Sequence, residues 1–257
     1  MEHTVVYKDP GAYCCFPCIA RRRSGELVVS FRRAGSFSLE ALRRGHYDHV
    51  DPGARIALAR SLDGGRSWEL ARLFDAFDPE CGEQDPSIAE LADGTLAINF
   101  FRWRVVPPQE SHRLRCPARQ QYDGSWADVE GPWLIRSRDG GRTWDGDPLP
   151  VASAPLLRAG TTDAVLQLAD GTLLMGIYGA DCGSRVCRAY AVRSPDGGST
   201  WGEPGLIACD PAGRISFEEP ALACTCQGRV IALLRTGEPG HYAYLHQATS
   251  DDGGRTW

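Results

Sequence analysis

Lysine is all but missing from this chain. Lys8 is the single lysine among 257 residues, and the other 27 basic residues are arginines. A genome-wide codon bias is the simple cause of so uniform a preference, so the arginine count by itself is no sign of anion binding. Positive charge is in deficit as well. The formal net charge is −5, which leaves no electrostatic basis for a nucleic-acid partner. No apolar run approaches the ~20 residues of a membrane-spanning helix, so no membrane association is expected. The first residues, MEHTVVYKDPGAY, contain no basic stretch followed by an apolar run. No secretory signal is visible, and a cytoplasmic location is expected. The ten cysteines lack the two distant C-x2-C pairs of a structural zinc site. They gather at Cys14, Cys15 and Cys18, at Cys182 and Cys187, and at Cys224 and Cys226. Without an export signal they are expected to be mostly reduced, small buried residues.

What the chain does have is repetition. SLDGGRSW at 61–68, SRDGGRTW at 137–144, SPDGGSTW at 194–201 and SDDGGRTW at 250–257 share Ser-x-Asp-Gly-Gly-x-[Ser/Thr]-Trp. Repeats of this kind decide the architecture before any weaker signal. Asp-Gly-Gly is turn chemistry: glycine reaches φ > 0, and the carboxylate can accept nearby backbone N–H groups. The hydroxyls add local bonds, and the tryptophan packs under the turn. Asp63, Asp139, Asp196 and Asp252 are therefore read as turn residues, not as catalytic acids.

A second repeat precedes each box. FPCIARRRSGELVVSFR (16–32), DPSIAELADGTLAINFF (85–101), TDAVLQLADGTLLMGIY (162–178) and EPALACTCQGRVIALLR (219–235) are each 17 residues long. Each is an apolar strand, a glycine turn and a second apolar strand, which is a hairpin signal. One unit is thus strand, Gly turn, strand, loop, strand, box, strand, a four-stranded antiparallel blade. The expected fold is an all-β propeller forming one domain over 1–257, with blades at about 13–76, 85–151, 161–208 and 216–257. Long polar loops are expected between the second and third strands of the first two blades, and such loops are usually functional or disordered.

The eight-residue motif resembles the Asp box of the sialidase (bacterial neuraminidase repeat) superfamily. That family's propellers have six blades, so the resemblance implies that this chain holds about three and a half blades of a ring. An open half-ring exposes blade edges, and poor solubility is expected of it. The resemblance also implies a glycoside hydrolase that removes a terminal sialic acid or related sugar from glycoconjugates, with no metal or organic cofactor.

Candidate site residues follow from the blade geometry. The start of each first strand and the end of each second strand lie side by side. Phe16, Asp85, Thr162 and Glu219, with Arg32, Phe101, Tyr178 and Arg235, should therefore converge on one mouth of the ring. Glu219 stands sixteen residues before Arg235, a spacing similar to the family's catalytic Glu and one of its carboxylate-binding arginines. By resemblance, Glu219 would activate a tyrosine nucleophile supplied by later blades, and Arg235 would bind the substrate carboxylate through its bidentate fork. Asp51 occupies the place of the acid that protonates the leaving group, with Asp48 as rival. Arg32, Arg33, His46, Asp85 and Tyr178 would contact substrate. One departure is plain: the family's first-blade Tyr-Arg-Ile-Pro is Cys14-Cys15-Phe16-Pro17 here, with Cys15 in place of the arginine. A thiol cannot pair bidentately with a carboxylate. Two other readings stay open: a non-catalytic propeller that binds glycan or protein through the same mouth, and a hydrolase of a non-sialic sugar.

Overall fold

The computed structural model describes residues 3–46, 49–116, 119–184, 186–202, 204–237 and 244–257. Four antiparallel sheets form successive propeller blades. Blade one is β1 (Tyr13–Arg21), β2 (Leu27–Ala34), β3 (Arg55–Ser61) and β4 (Glu69–Leu73), with the helix α1 (Ser36–Arg43) between β2 and β3. Blade two holds β5 (Cys81–Glu90), β6 (Leu96–Val106), β7 (Arg119–Gln120), β8 (Trp126–Ser137) and β9 (Leu149–Pro150). Blade three holds β10 (Arg158–Gly160), β11 (Leu166–Gln167), β12 (Leu173–Ala180), β13 (Arg188–Ser194) and β14 (Gly205–Ala208). Blade four has three strands, β15 (Ser216–Cys224), β16 (Val230–Gly237) and β17 (Leu245–Ser250).

The core is distributed between the blades. Val28, Ile56 and Leu58 of blade one meet Ile88, Ile98 and Phe100 of blade two. Leu134 and Ala97 meet Leu173, Met175 and Ile177 at the next junction, and Ala189 and Ala191 meet Phe217 and Leu234 at the third. Sheets stacked face to face bury alternate residues of every strand in this way.

The four Asp boxes close with the same bonds. Gly65, Gly141, Gly198 and Gly254 each donate their N–H to the serine that opens the box, at 2.8 Å. The box aspartates accept the Ser/Thr hydroxyl and two backbone N–H groups, as Asp63 does from Ser67 and Arg66. Those bonds, the hydroxyl of Ser67 first, hold Asp63 well below the usual carboxylate range. The tryptophans sit half-buried under the turns, and Trp144 packs edge-on against Phe74 of the preceding blade.

Three of the four innermost strands carry the same irregularity. The pairing of β1 with β2 slips between Cys15 and Cys18, that of β5 with β6 between Gln84 and Ser87, and that of β15 with β16 between Glu218 and Ala221. Phe16, Asp85 and Glu219 sit in these bulges in the left-handed region, at φ 54°, 48° and 51°. Each precedes a proline: Pro17, Pro86 and Pro220. Proline has no N–H to lose from the ladder, so its own place in the bulge leaves no donor unpaired. Blade three interrupts its inner strand between β10 and β11 instead.

The second strand of each blade supports the inner strand of the next. Ser30 donates its hydroxyl to Pro86 O at 2.7 Å, and the Asn99 side-chain amide donates to Asp163 O at 2.8 Å. At the equivalent place in blade three stands Gly176. A Cβ there would lie 2.6 Å from Pro220 O, so only glycine lets the Glu219–Pro220 bulge come so close.

Eight of the ten cysteines are free, as expected, but the expectation that they are buried requires correction. Cys116, in the blade-two insertion, forms a disulfide with Cys182, in the loop after β12. Cys14, Cys224 and Cys226 are exposed rather than buried. The pairing joins loops 66 residues apart, which the spacing of neighbouring cysteines could not reveal. No helix among the described residues is long and apolar enough to cross a membrane.

Candidate functional site

A basin of about 580 Å³ opens at the end of the blades opposite the Asp boxes. Its floor continues into a cavity of about 320 Å³ between the inner strands, where Phe16, Asp85, Asp163 and Glu219 face one another. The basin is built on the bulges. A bulge turns its extra residue out of the strand's alternation. Glu219 consequently leaves the pairing partner of Arg235, which is Glu218, and presents its own carboxylate to the same guanidinium. Arg235 Nη1 donates to Glu219 Oε1 at 2.5 Å and lies 3.5 Å from Glu218 Oε2. Non-glycine residues held left-handed before proline are strained, at a cost on the order of 1–3 kcal/mol each. Such strain gathers where side chains must point against the regular pattern.

Asp85 shares the basin. Its carboxylate accepts the Gln84 side-chain amide at 2.5 Å. Burial pushes its pKa up to about 6, and the Glu219 charge adds to this; Gln84 and the Arg32 guanidinium pull the other way. Tyr178 lies on the blade-three wall, its ring against Gly160. Burial, with the negative charge of Glu219 and Asp85, raises its hydroxyl well above the ordinary phenol range, so it remains protonated. Phe16 and His49 meet edge to face at 5.0 Å, and Phe101 and Trp103 extend this aromatic side.

Other expected site residues stand apart from the basin. Asp51 is 1% exposed and does not line it. The N–H groups of Gly35 and Ser38 donate to Asp51 Oδ2 at 3.0 and 2.9 Å, and that of Gly53 donates to Oδ1 at 2.7 Å. The carboxylate caps α1 across the loop and is committed there. Arg33 points to the other face of β2, bonding Asp9 Oδ2 at 2.8 Å. Arg32 is fully buried behind the basin wall. It donates to His49 O at 2.6 Å and to Cys15 Sγ at 3.6 Å, and its Nε has no partner. His46 is exposed on the blade-one insertion, its ring 6.1 Å from that of Tyr122. Asp48 lies outside the described residues.

The sequence reading missed Arg158. This residue opens β10 and reaches the basin with its Nε 3.4 Å from Asp128 Oδ1. Asp128 in turn accepts the N–H of Cys116, one end of the disulfide, at 2.9 Å. The three-residue strand around Arg158 has no alternation to mark it, so no sequence signal set it beside Arg235. Elsewhere, Asp78, Cys81 and Glu130 lie close enough together to hold a metal. Arg104 already bridges both carboxylates.

The blades, the boxes and the mouth define a BNR-type propeller. The BNR repeat-like domain family matches residues 119–257, more than half the chain. The chain belongs to that family. It is similar to a solved protein of unknown function from Dyadobacter fermentans, at 29% identity and TM-score 0.82 over 98% of this chain and 69% of that one. It shares the fold of a Hadza microbial sialidase, at 22% identity and TM-score 0.68 over 95% of this chain and 45% of that one. It also shares the fold of an α-L-arabinanase from Penicillium chrysogenum, at 17% identity and TM-score 0.62 over 96% and 65%. The chain thus spans less than half of the sialidase and about two thirds of the arabinanase. No curated protein matches it in sequence.

Proposed function

We propose that this chain carries the sugar-binding mouth of a glycoside hydrolase that removes a terminal acidic sugar of the sialic-acid class. The observation that carries this reading is the Glu219–Arg235 pair, turned by a strained bulge into a basin of about 580 Å³. A basin of that volume suits one or two sugar rings. Arg235 and Arg158 would bind the substrate's carboxylate; a guanidinium fork matches that group. Glu219 would take the proton of the attacking hydroxyl, which by family resemblance belongs to a tyrosine. Asp51 is not carried into this reading, because three backbone N–H groups hold its carboxylate in the loop.

A second reading has its own support. Cys15 and the buried Arg32 offer substrate no guanidinium in blade one. That would suit a sugar without a carboxylate, such as the arabinose units implied by the arabinanase of the same fold. The test is hydrolysis of fluorogenic sialosides and arabinofuranosides, beside Glu219→Gln. Sialoside turnover that collapses in the variant supports the first reading, and arabinofuranoside turnover the second. Silence on every glycoside from a folded protein, with retention on a glycan array, would leave a binding propeller.

A further inference from the structure

We infer that Asp85 is the proton donor to the departing sugar oxygen in this basin, facing Glu219 across the inner cavity. The inference rests on the glycosidase reading above. Three observations lead to it. Asp85 and Glu219 occupy equivalent bulges, both left-handed and both before proline, so the fold aims two carboxyl groups into one space. A glycosidase acting with a proton donor and a base needs two such groups. The loop carboxylate expected in the donor role, Asp51, is consumed by backbone amides. Finally, the surroundings of Asp85 favour its protonated form over that of an ordinary carboxyl group. Cys15 faces it from β1, Arg32 from β2, Tyr178 from β12 and Glu219 from β15, with Asp163 beside it in the cavity. Of these only Arg32 is cationic, and it is buried behind the wall; burial outweighs it.

The step balances without an oxidant or reductant. The Asp85 O–H bond breaks and its proton goes to the glycosidic oxygen. The bond from that oxygen to the anomeric carbon breaks, its electron pair staying on oxygen, and a neutral alcohol leaves. The anomeric carbon bonds to the attacking hydroxyl oxygen, whether of water or of a tyrosine that water later displaces. The attacker's proton passes to Glu219. Proton exchange with solvent then restores both carboxyl groups, and one water is consumed.

The experiment compares the full chain with Asp85→Asn and Asp85→Glu on one sugar carrying two leaving groups, an activated phenol and a sugar alcohol. Asparagine tolerates the left-handed region, so Asp85→Asn preserves the bulge; a thermal melt checks this. A phenol leaves without help, whereas an alcohol needs the proton. Asp85→Asn should therefore lose roughly 10²–10⁴-fold in kcat/KM on the alcohol glycoside and less than about 10-fold on the phenolic one. A donor must be protonated to act, so wild-type kcat/KM on the alcohol glycoside should fall as pH rises through about 6. That limb should vanish in Asp85→Asn and return, displaced, in Asp85→Glu. Equal losses on both leaving groups, or a limb that survives Asp85→Asn, would overturn the inference while leaving the glycosidase reading intact. A wild-type chain inactive on every glycoside would overturn both.

Discussion

Blades one and four share a backbone and differ in what they do with it. Phe16 and Glu219 occupy the same left-handed bulge before proline, and Arg32 and Arg235 pair with the residue just before each bulge. In blade one the bulge side chain is a phenyl ring and its neighbour is a thiol. Arg32 donates to the Cys15 thiol and the His49 carbonyl rather than to a carboxylate, and the blade-one insertion closes over it through that carbonyl. In blade four the same positions hold two glutamates, and Arg235 stays half exposed between them. The fold supplies a geometry that aims a side chain at the mouth; the side chain alone decides whether chemistry can follow.

The sharpest way to break this comparison is to move the chemistry. Glu219→Gln should lower turnover by roughly 10²–10⁴-fold, while Phe16→Leu should change it by less than about 10-fold, both read as kcat/KM on the responding glycoside. Equal effects would mean that the mouth is not centred on blade four. The next largest effect lies in the support beneath. Gly176→Ala must push Pro220 away, and we expect a loss of about 3 kcal/mol in urea unfolding. Ser30→Ala, under the Pro86 bulge, removes one buried hydrogen bond and should cost about 1–2 kcal/mol. The two arginines should separate in kind. Arg32→Met should shift stability by about 1–3 kcal/mol with little effect on substrate KM, and Arg235→Met should do the reverse. Reducing Cys116–Cys182, or replacing both residues by serine, should cost about 2–4 kcal/mol, seen as a lower Tm with reductant.

A further effect is a pH dependence. Burial pushes Glu83 up to about 7. A carboxyl group whose folded value is raised binds its proton more tightly folded than unfolded. Its stabilising contribution is present below the unfolded value and is lost as pH rises through the folded one. Glu83→Gln should therefore match wild type in Tm near pH 4 and exceed it near pH 8. A Tm difference independent of pH would show that Glu83 is charged in the fold.

The blades were legible because their determinants are local. Asp-Gly-Gly makes its own turn wherever it stands, and alternation around Gly25, Gly94, Gly171 and Gly228 specifies hairpins. The meeting of Glu219 and Arg235 was legible for a related reason, since a hairpin brings its two ends together, although the bulge makes Glu218 the strand partner of Arg235. What the sequence reading lost was nonlocal. Asp51 reaches across a loop to cap α1, an interaction 13 to 16 residues long that its neighbours in sequence do not announce. Arg158 and the 116–182 disulfide depend on how blade three sits beside blade two. The bulges were written plainly, as Phe-Pro, Asp-Pro and Glu-Pro each at the same distance from a turn glycine. They passed unnoticed because proline in a strand reads as a boundary, not as a device for turning a side chain outward.

The serine and aspartate bonding shared by the four Asp boxes has a consequence for how such a chain can change over time. The boxes fasten each blade at the end remote from the basin, using residues that play no part in the mouth. A substitution at the mouth therefore leaves the fastening untouched, and the mouth can change in sequence without loosening the boxes.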